Sequence, residues 1–255
     1  MKIVTWNVNS IRARLDRLLE YLKTRAPDVL CLQELKCTDD QFPHAELAAV
    51  GYRAAVFGQK TYNGVAIITR ADGPELTHVT KNLGDDDDES RVIAGTFNGI
   101  RIVCVYAPNG QALGAPQFTY KLEWYARLSR WLSRLPRPLL VCGDFNVAPA
   151  ELDTWNVALW SGVTLASPKE REAFAALLQQ NSLVDLVRAK RGDEAGFYTW
   201  WDYRAGAFHK NQGLRIDHHL VSPELVARCT GVEVDREARK GKQPSDHAPL
   251  AADVT

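Results

Sequence analysis

The stretch Val141-Cys142-Gly143-Asp144-Phe145-Asn146 decides the reading of this chain. Leu139 to Cys142 is an apolar run that reads as a buried strand, stopping at Gly143. Alternation sets Asp144 and Asn146 on one side of the strand end. A carboxylate and an amide held together there can bind a hard cation or a nucleophilic water. Taken alone, an Asp after Gly reads as a turn residue. The functional reading gains weight because other strands end the same way.

Ile3 to Val8 is a strand signal whose end carries Asn7, Asn9 and Ser10. Ser10 can cap a helix from about Ile11 to Arg25, with Ile11, Leu15, Leu18, Leu19 and Leu22 on one face. Val29 to Leu32 is a second strand, and it runs into Gln33-Glu34. Tyr52 to Phe57 and Val65 to Thr69 read as strands joined by a polar turn. Arg91 to Phe97 and Ile100 to Tyr106 form a hairpin across Asn98-Gly99. The second of these strands ends at Tyr106 and leads to Asn109. Pro116 to Leu135 and Pro168 to Gln180 are helical. Leu214 to Val221 is a strand holding Asp217, and Pro249 to Val254 is the last strand, preceded by Ser245-Asp246-His247. Asp85 to Glu89 reads as a solvated acidic loop, and Arg236 to Lys242 as a basic loop.

Composition narrows the class. The 255 residues are 45% hydrophobic and 24% charged, which suits a globular enzyme with a sizeable core. Formal net charge is zero, so no global basic field announces a nucleic-acid binder; a polyanion must be held by local basic groups and a cation. The five Cys are odd in number and lack paired metal spacing. Cys31, Cys104 and Cys142 read as reduced, buried thiols of a cytosolic protein. No signal peptide or membrane-length apolar run is expected, and the lack of a linker points to one domain over 1–255.

Polar groups at strand ends thus comprise Asn7, Glu34, Tyr106, Asp144, Asn146, Asp217, Asp246 and His247. Clustered carboxylates repel one another unless a cation relieves them. Oxygen donors with few soft ligands favour Mg²⁺ or Mn²⁺ over Zn²⁺. Asp217 can orient the His247 imidazole and hold it protonated beside a phosphate oxygen. His219 shares the face of Asp217 and His218 takes the opposite one; neither is assigned direct chemistry.

The segments TWNVNS (5–10), LQELK (32–36), TYNGVAI (61–67), YAPNG (106–110), GDFN (143–146), KNQGLRID (210–217) and SDHAPL (245–250) together resemble exonuclease III. That is the AP endonuclease branch of the endonuclease/exonuclease/phosphatase superfamily. The resemblance implies an α/β fold, a four-layer α/β sandwich of two mixed sheets packed face to face and flanked by helices. It implies Mg²⁺- or Mn²⁺-dependent cleavage of double-stranded DNA, 5′ to abasic sites and at blocked or recessed 3′ ends, by a monomer located in the cytoplasm and at the nucleoid. It implies Glu34 as the main metal ligand with Asn7 beside it, and Asp246 as a residue that supports the metal site from behind or is an alternative ligand. Asp144 would position and deprotonate the attacking water, Asn146 and Tyr106 would contact phosphate or water, and His247 with Asp217 would hold the scissile phosphate. Arg12, Lys36, Tyr62, Asn63, Asn109 and Lys210 would face DNA. Trp200, Leu214 and Ile216 would wall an abasic pocket.

The chain departs from the pattern at Leu165, where relatives commonly carry a small residue. Trp160 and Val163 are bulky as well, and Gln111-Ala112 stand where some relatives insert a large side chain. If this loop borders the pocket, abasic incision should be weaker than 3′ trimming. The rival readings are a small-molecule or RNA phosphoesterase of the same superfamily, and an inactive DNA-end binder.

Overall fold

Apolar runs such as Ile3-Val4-Thr5-Trp6 and Leu139-Leu140-Val141-Cys142 need cover on both faces, and the architecture supplies it. The computed structural model describes residues 1–255. Its strands are β1 Lys2–Asn7, β2 Val29–Gln33, β3 Tyr52–Phe57, β4 Val65–Arg70, β5 Thr77–Lys81, β6 Val92–Phe97, β7 Ile100–Tyr106, β8 Leu139–Asp144, β9 Val184–Asp185, β10 Asp217–Val221, β11 Cys229–Val234 and β12 Leu250–Val254. Its helices are α1 Leu15–Arg25, α2 His44–Ala49, α3 Pro116–Leu132, α4 Val157–Trp160, α5 Pro168–Gln180, α6 Leu186–Arg191 and α7 Pro223–Arg228.

Two six-stranded sheets form, in the orders β11-β12-β1-β2-β4-β3 and β5-β6-β7-β8-β10-β9. Each has one parallel pair at its centre, β1–β2 in the first and β7–β8 in the second. All other pairings are antiparallel. Alternation divides the cores. Ile3, Cys31, Ile102, Cys104, Leu140 and Cys142 point between the sheets. Val4, Trp6, Leu30 and Leu32 point outward onto Leu18 and Leu22 of α1. Val103, Val105 and Val141 point outward onto Trp124, Leu128 and Phe174 of α3 and α5. The result is the four-layer sandwich. All five cysteines are free and buried, and no helix is long and apolar enough to cross a membrane.

Several elements differ from the sequence reading. The first helix opens with a 3-10 turn, Arg12–Arg14, before α1. β10 begins only at Asp217; Leu214 instead bridges Thr154 and Trp200. The sequence reading does not contain β5 and β11. β5 is an exposed edge and β11 a sheet edge with a bulge, so neither shows clean alternation. The acidic run is not simply solvated. Asp87 accepts from Tyr120 Oη (2.6 Å) and pairs with Arg127 of α3, which also reaches Asp85 at 3.1 Å. The basic loop likewise is built in: Arg236 stacks over Trp201, and the buried Arg239 over Tyr203. Lys240 and Lys242 face solvent.

Candidate active site

Parallel pairing delivers strand ends to one edge. Asn7 lies in register with Gln33, just before Glu34, and Tyr106 in register with Asp144. Asp217 opens antiparallel β10 directly opposite Asp144. Gly143 makes the close passage possible: a Cβ there would sit 1.9 Å from Val105 O. Asp144 and Asn146 do meet, but by a turn instead of strand alternation. The strand ends at Asp144, Asn146 adopts a left-handed φ of 50°, and its backbone N–H donates to Asp144 Oδ1 at 2.8 Å.

His247 Nδ1 is 2.8 Å from Asp217 Oδ2, and His247 Nε2 is 3.6 Å from Asp144 Oδ2. All three residues are buried. Burial opposes a charge on His247, but Asp217 and Asp144 outweigh it and push the imidazole up to about 10. It is therefore an imidazolium at neutral pH. Burial pushes Asp144 up to about 7, and the Asp217 charge adds to this against the pull of His247 and Asn7. The Tyr106 hydroxyl is pushed up by burial and then by Glu34 and Asp144, so it keeps its proton.

The donor set fits a divalent cation. The carboxylates of Asp144 and Asp217 lie within 4.8 Å of each other around His247, which as an imidazolium is not itself a ligand. Asp217 Oδ1 is buried with no donor of the chain reaching it. Carboxylate oxygens this close favour a hard cation. Asn7 lies beside Glu34, and its Oδ1 accepts from Asn9 N at 2.9 Å. Its amide nitrogen donates to Glu34 Oε1 (2.8 Å) and Asp144 Oδ2 (2.9 Å), bridging the two acids. Asp246 accepts from Trp200 Nε1 (3.0 Å) and Asn9 Nδ2 (3.1 Å), a supporting position that orients the Trp200 wall.

The residues expected to face DNA divide. Arg12, Tyr62 and Lys210 are exposed. Lys36 Nζ is held by Glu34 Oε2 at 2.9 Å and Asn9 Oδ1 at 2.7 Å, inside the site's rim. Asn63 is buried, its amide spent on Gln59, so it does not face a ligand. Asn109 Nδ2 donates to Asn146 Oδ1 at 3.1 Å and thus supports the catalytic turn. Leu165, Leu214 and Ile216 form one buried apolar cluster, with Trp160 and Trp200 packed on it.

Some contributors lie outside the sequence reading. Lys121 and Glu170 are fully buried partners 2.5 Å apart. Lys121 Nζ also donates to Asn146 O (2.6 Å) and Asn109 O (3.1 Å). Glu170 Oε1 accepts from Leu165 N at 2.9 Å. One ion pair therefore ties the Asn146 turn to the Leu165 loop. Lys121 lies three residues after Phe118 and four before Tyr125, on the buried stripe of α3, which was its only signal. Ser245 Oγ donates to Asn7 O at 2.6 Å and accepts from His247 N at 3.2 Å.

The two other histidines of β10 stay out of the site. His219 Nε2 lies 3.0 Å from Leu250 O. His218 is sealed between Arg215 and Val147 O. Burial and then Arg215 lower the His218 pKa from 6.5 to about 4. The folded chain refuses a proton that the unfolded chain accepts between these values. His218 thus contributes stability in full above pH 6.5, and this is lost as pH falls toward 4. Wild type should lose about 2 kcal/mol more than His218→Gln between pH 7 and 5. Urea titrations at both pH values check this, and equal losses would contradict it.

Two mixed sheets with carboxylates, an amide and an imidazolium converging at one edge define a hydrolytic α/β sandwich built for a phosphate ester. The chain belongs to the Endonuclease/Exonuclease/phosphatase family, whose model matches residues 4–247. It is 33% identical to exodeoxyribonuclease III of Haemophilus influenzae, over 99% of both chains. Among solved structures it is similar to NExo, a 3′-5′ exonuclease from Neisseria meningitidis (43% identity, TM-score 0.95, covering 100% of this chain and 99% of that one). NExo from Neisseria, described as a 3′ phosphatase, has also been solved bound to product DNA hairpin, with the same identity and coverage. An AP endonuclease from Archaeoglobus fulgidus is 35% identical with TM-score 0.94, again covering 100% of this chain and 99% of that one.

Proposed function

We propose that this chain is a divalent-metal-dependent DNA phosphodiesterase that trims 3′ ends and incises 5′ to abasic sites, acting as a single-domain monomer. The observation that carries this reading is the buried Asp217–His247 pair set 3.6 Å from Asp144. A water held by Asp144 and Asn146 would attack phosphorus in line with the leaving sugar oxygen. Asp144, whose carboxyl is pushed up by burial, is placed to take the water's proton. The His247 imidazolium, oriented by Asp217, donates to the phosphate oxygen that gains charge. Glu34, with Asn7 beside it, would hold Mg²⁺ or Mn²⁺ at the edge, leaving Asp144 to the water and Asp217 to His247. A bound cation would further offset the phosphate's charge. Arg12, Tyr62 and Lys210, which are exposed, would meet the DNA backbone.

The Leu165 position favours 3′ ends over internal abasic sites. Leu165 takes a φ of 80°, unusual for a branched side chain, and packs into the Leu214–Ile216 wall. A filled wall leaves less room for an extruded sugar. The Leu165→Gly variant should raise the ratio of abasic incision to 3′ trimming about tenfold, the equivalent of 1.4 kcal/mol. Initial rates on paired substrates, one with an internal abasic analogue and one with a recessed 3′ end, measure this ratio. An unchanged ratio would reject the Leu165 argument. Faster hydrolysis of a free sugar phosphate than of either duplex would favour the small-molecule reading.

A further inference from the structure

The basic loop Arg236 to Lys242 leads into Ser245-Asp246-His247, and its shape is fixed from two sides. At its base, Arg236 stacks over Trp201 and Phe208 at 4.8 and 4.9 Å from the ring centres, and Arg239 over Tyr203 and Phe208 at 5.0 and 5.3 Å. At its tip, Arg17 of α1 donates to three loop carbonyls, Lys242 O (2.7 Å), Ala238 O (3.1 Å) and Lys240 O (2.5 Å). Gly241 turns the tip with a φ of 87°, and a Cβ there would lie 2.9 Å from Arg17 Nη2. Arg14 fixes the exit by donating to Pro244 O at 3.1 Å. The two lysines at the tip differ. Lys240 pairs with Glu237 at 2.6 Å, whereas Lys242 is exposed and has no carboxylate partner. We propose that Lys242 contacts a backbone phosphate of the duplex flanking the reacting one, so that the loop tip extends the DNA footprint along α1. The proposal rests on the DNA phosphodiesterase reading and adds a contact to it.

Three observations favour a phosphate backbone as the occupant. First, the loop is continuous with the reaction site: Tyr203 Oη donates to Pro244 O at 2.9 Å, and Asn9 Nδ2 donates to Asp246, the neighbour of His247, at 3.1 Å. A strand held at His247 therefore has the loop beside it. Second, the spacing suits a strand. Arg12 is also exposed and free of ion pairs, and it stands five residues before Arg17, which holds the Lys242 carbonyl. Five helical residues span roughly 7–10 Å. At a rise of about 3.4 Å per nucleotide, this matches two to three phosphates of one strand. Third, the frame is set in advance, so binding orders only the lysine side chain. The cleft of about 660 Å³ between α1 and the loop does not compete for the phosphate. Asp16, Glu20, Asp235 and Glu237 line it and repel an anion, which leaves the contact to the exposed tip.

The test measures binding of a labelled duplex with a recessed 3′ end, in EDTA, by fluorescence anisotropy between about 50 and 200 mM KCl. At the lower salt, Lys242→Ala should bind about tenfold more weakly than wild type, the scale of one charged hydrogen bond. Its slope of log affinity against log salt should be shallower by about one, so that the deficit shrinks to about threefold at the higher salt. Lys242→Arg should restore the wild-type slope. Lys240→Ala removes a charge already paired with Glu237 and should change the slope little. In Mg²⁺, the loss in Lys242→Ala should fall on KM. Equal slopes for wild type and Lys242→Ala would overturn the proposal. A loss as large in Lys240→Ala would also overturn it, reducing the effect to general charge. Equal slopes alongside normal cleavage would leave the phosphodiesterase reading standing. Binding that depends on Lys242, with no cleavage of any DNA in Mg²⁺, would reject that reading and leave the phosphate contact standing.

Discussion

Replacing Asp144 with Asn should lower kcat on DNA by about three orders of magnitude while leaving the fold intact. Proton transfer by a placed side chain contributes roughly 10²–10⁴-fold. The amide of the Asp144→Asn variant would keep the shape and one acceptor for the Asn146 N–H, so the turn survives. It would lose the negative charge and the ability to take a proton. It would also set an amide against the Asn7 amide that now donates to Asp144 Oδ2. Stability should not fall, because a carboxylate burdened by burial is removed. Steady-state kinetics with a thermal melt on the same sample check both parts. Activity within tenfold of wild type would mean that Asp144 is not the base.

The second large effect is expected from Lys121, which touches no reacting atom. Lys121→Met leaves Glu170 as a lone buried carboxylate and removes the donor to Asn146 O and Asn109 O. Breaking a buried ion pair on one side costs about 3–5 kcal/mol. We expect a stability loss of that order and, at a temperature where the variant is folded, a kcat about 100-fold lower with KM nearly unchanged. A misplaced Asn146 turn disturbs the transition state more than substrate binding. The double variant Lys121→Met with Glu170→Gln should recover part of the stability, since the uncompensated charge is gone. It should not recover kcat. A KM rise with kcat preserved would place Lys121 in substrate binding instead.

The central strands were legible because they are buried on both faces and run apolar, as in Leu139–Cys142 and Ile102–Val105, while the four-layer arrangement came from the family resemblance. The site was legible where polar residues punctuate those runs: parallel pairing brings Asn7 to Gln33 and Tyr106 to Asp144, and antiparallel pairing sets Asp217 opposite Asp144. Edge strand β5 escaped because all its residues face solvent, and β11 because a bulge breaks its alternation. Roles within the site were less legible than membership. Asn7 and Asp246 are there, yet one bridges acids through its amide and the other holds a tryptophan, and side-chain orientation leaves no mark in sequence. Asn63 was misassigned because a polar residue in a turn reads as exposed, while its carbonyl and amide are spent on Lys36 N and Gln59. The Lys121–Glu170 pair joins residues 49 apart, and only the packing of α3 on α5 brings them into contact. Glu170 itself was signalled by the capping box it completes with Ser167.

The most direct measurement uses one duplex with a labelled recessed 3′ end and one with an internal abasic analogue. Each is incubated with wild type in Mg²⁺, with wild type in EDTA, and with Asp144→Asn in Mg²⁺. We expect Mg²⁺-dependent shortening from the 3′ end, slower incision at the analogue, no product in EDTA, and cleavage about a thousandfold slower with the variant. Cleavage that persists in EDTA, or no cleavage of either duplex with Mg²⁺, would contradict it.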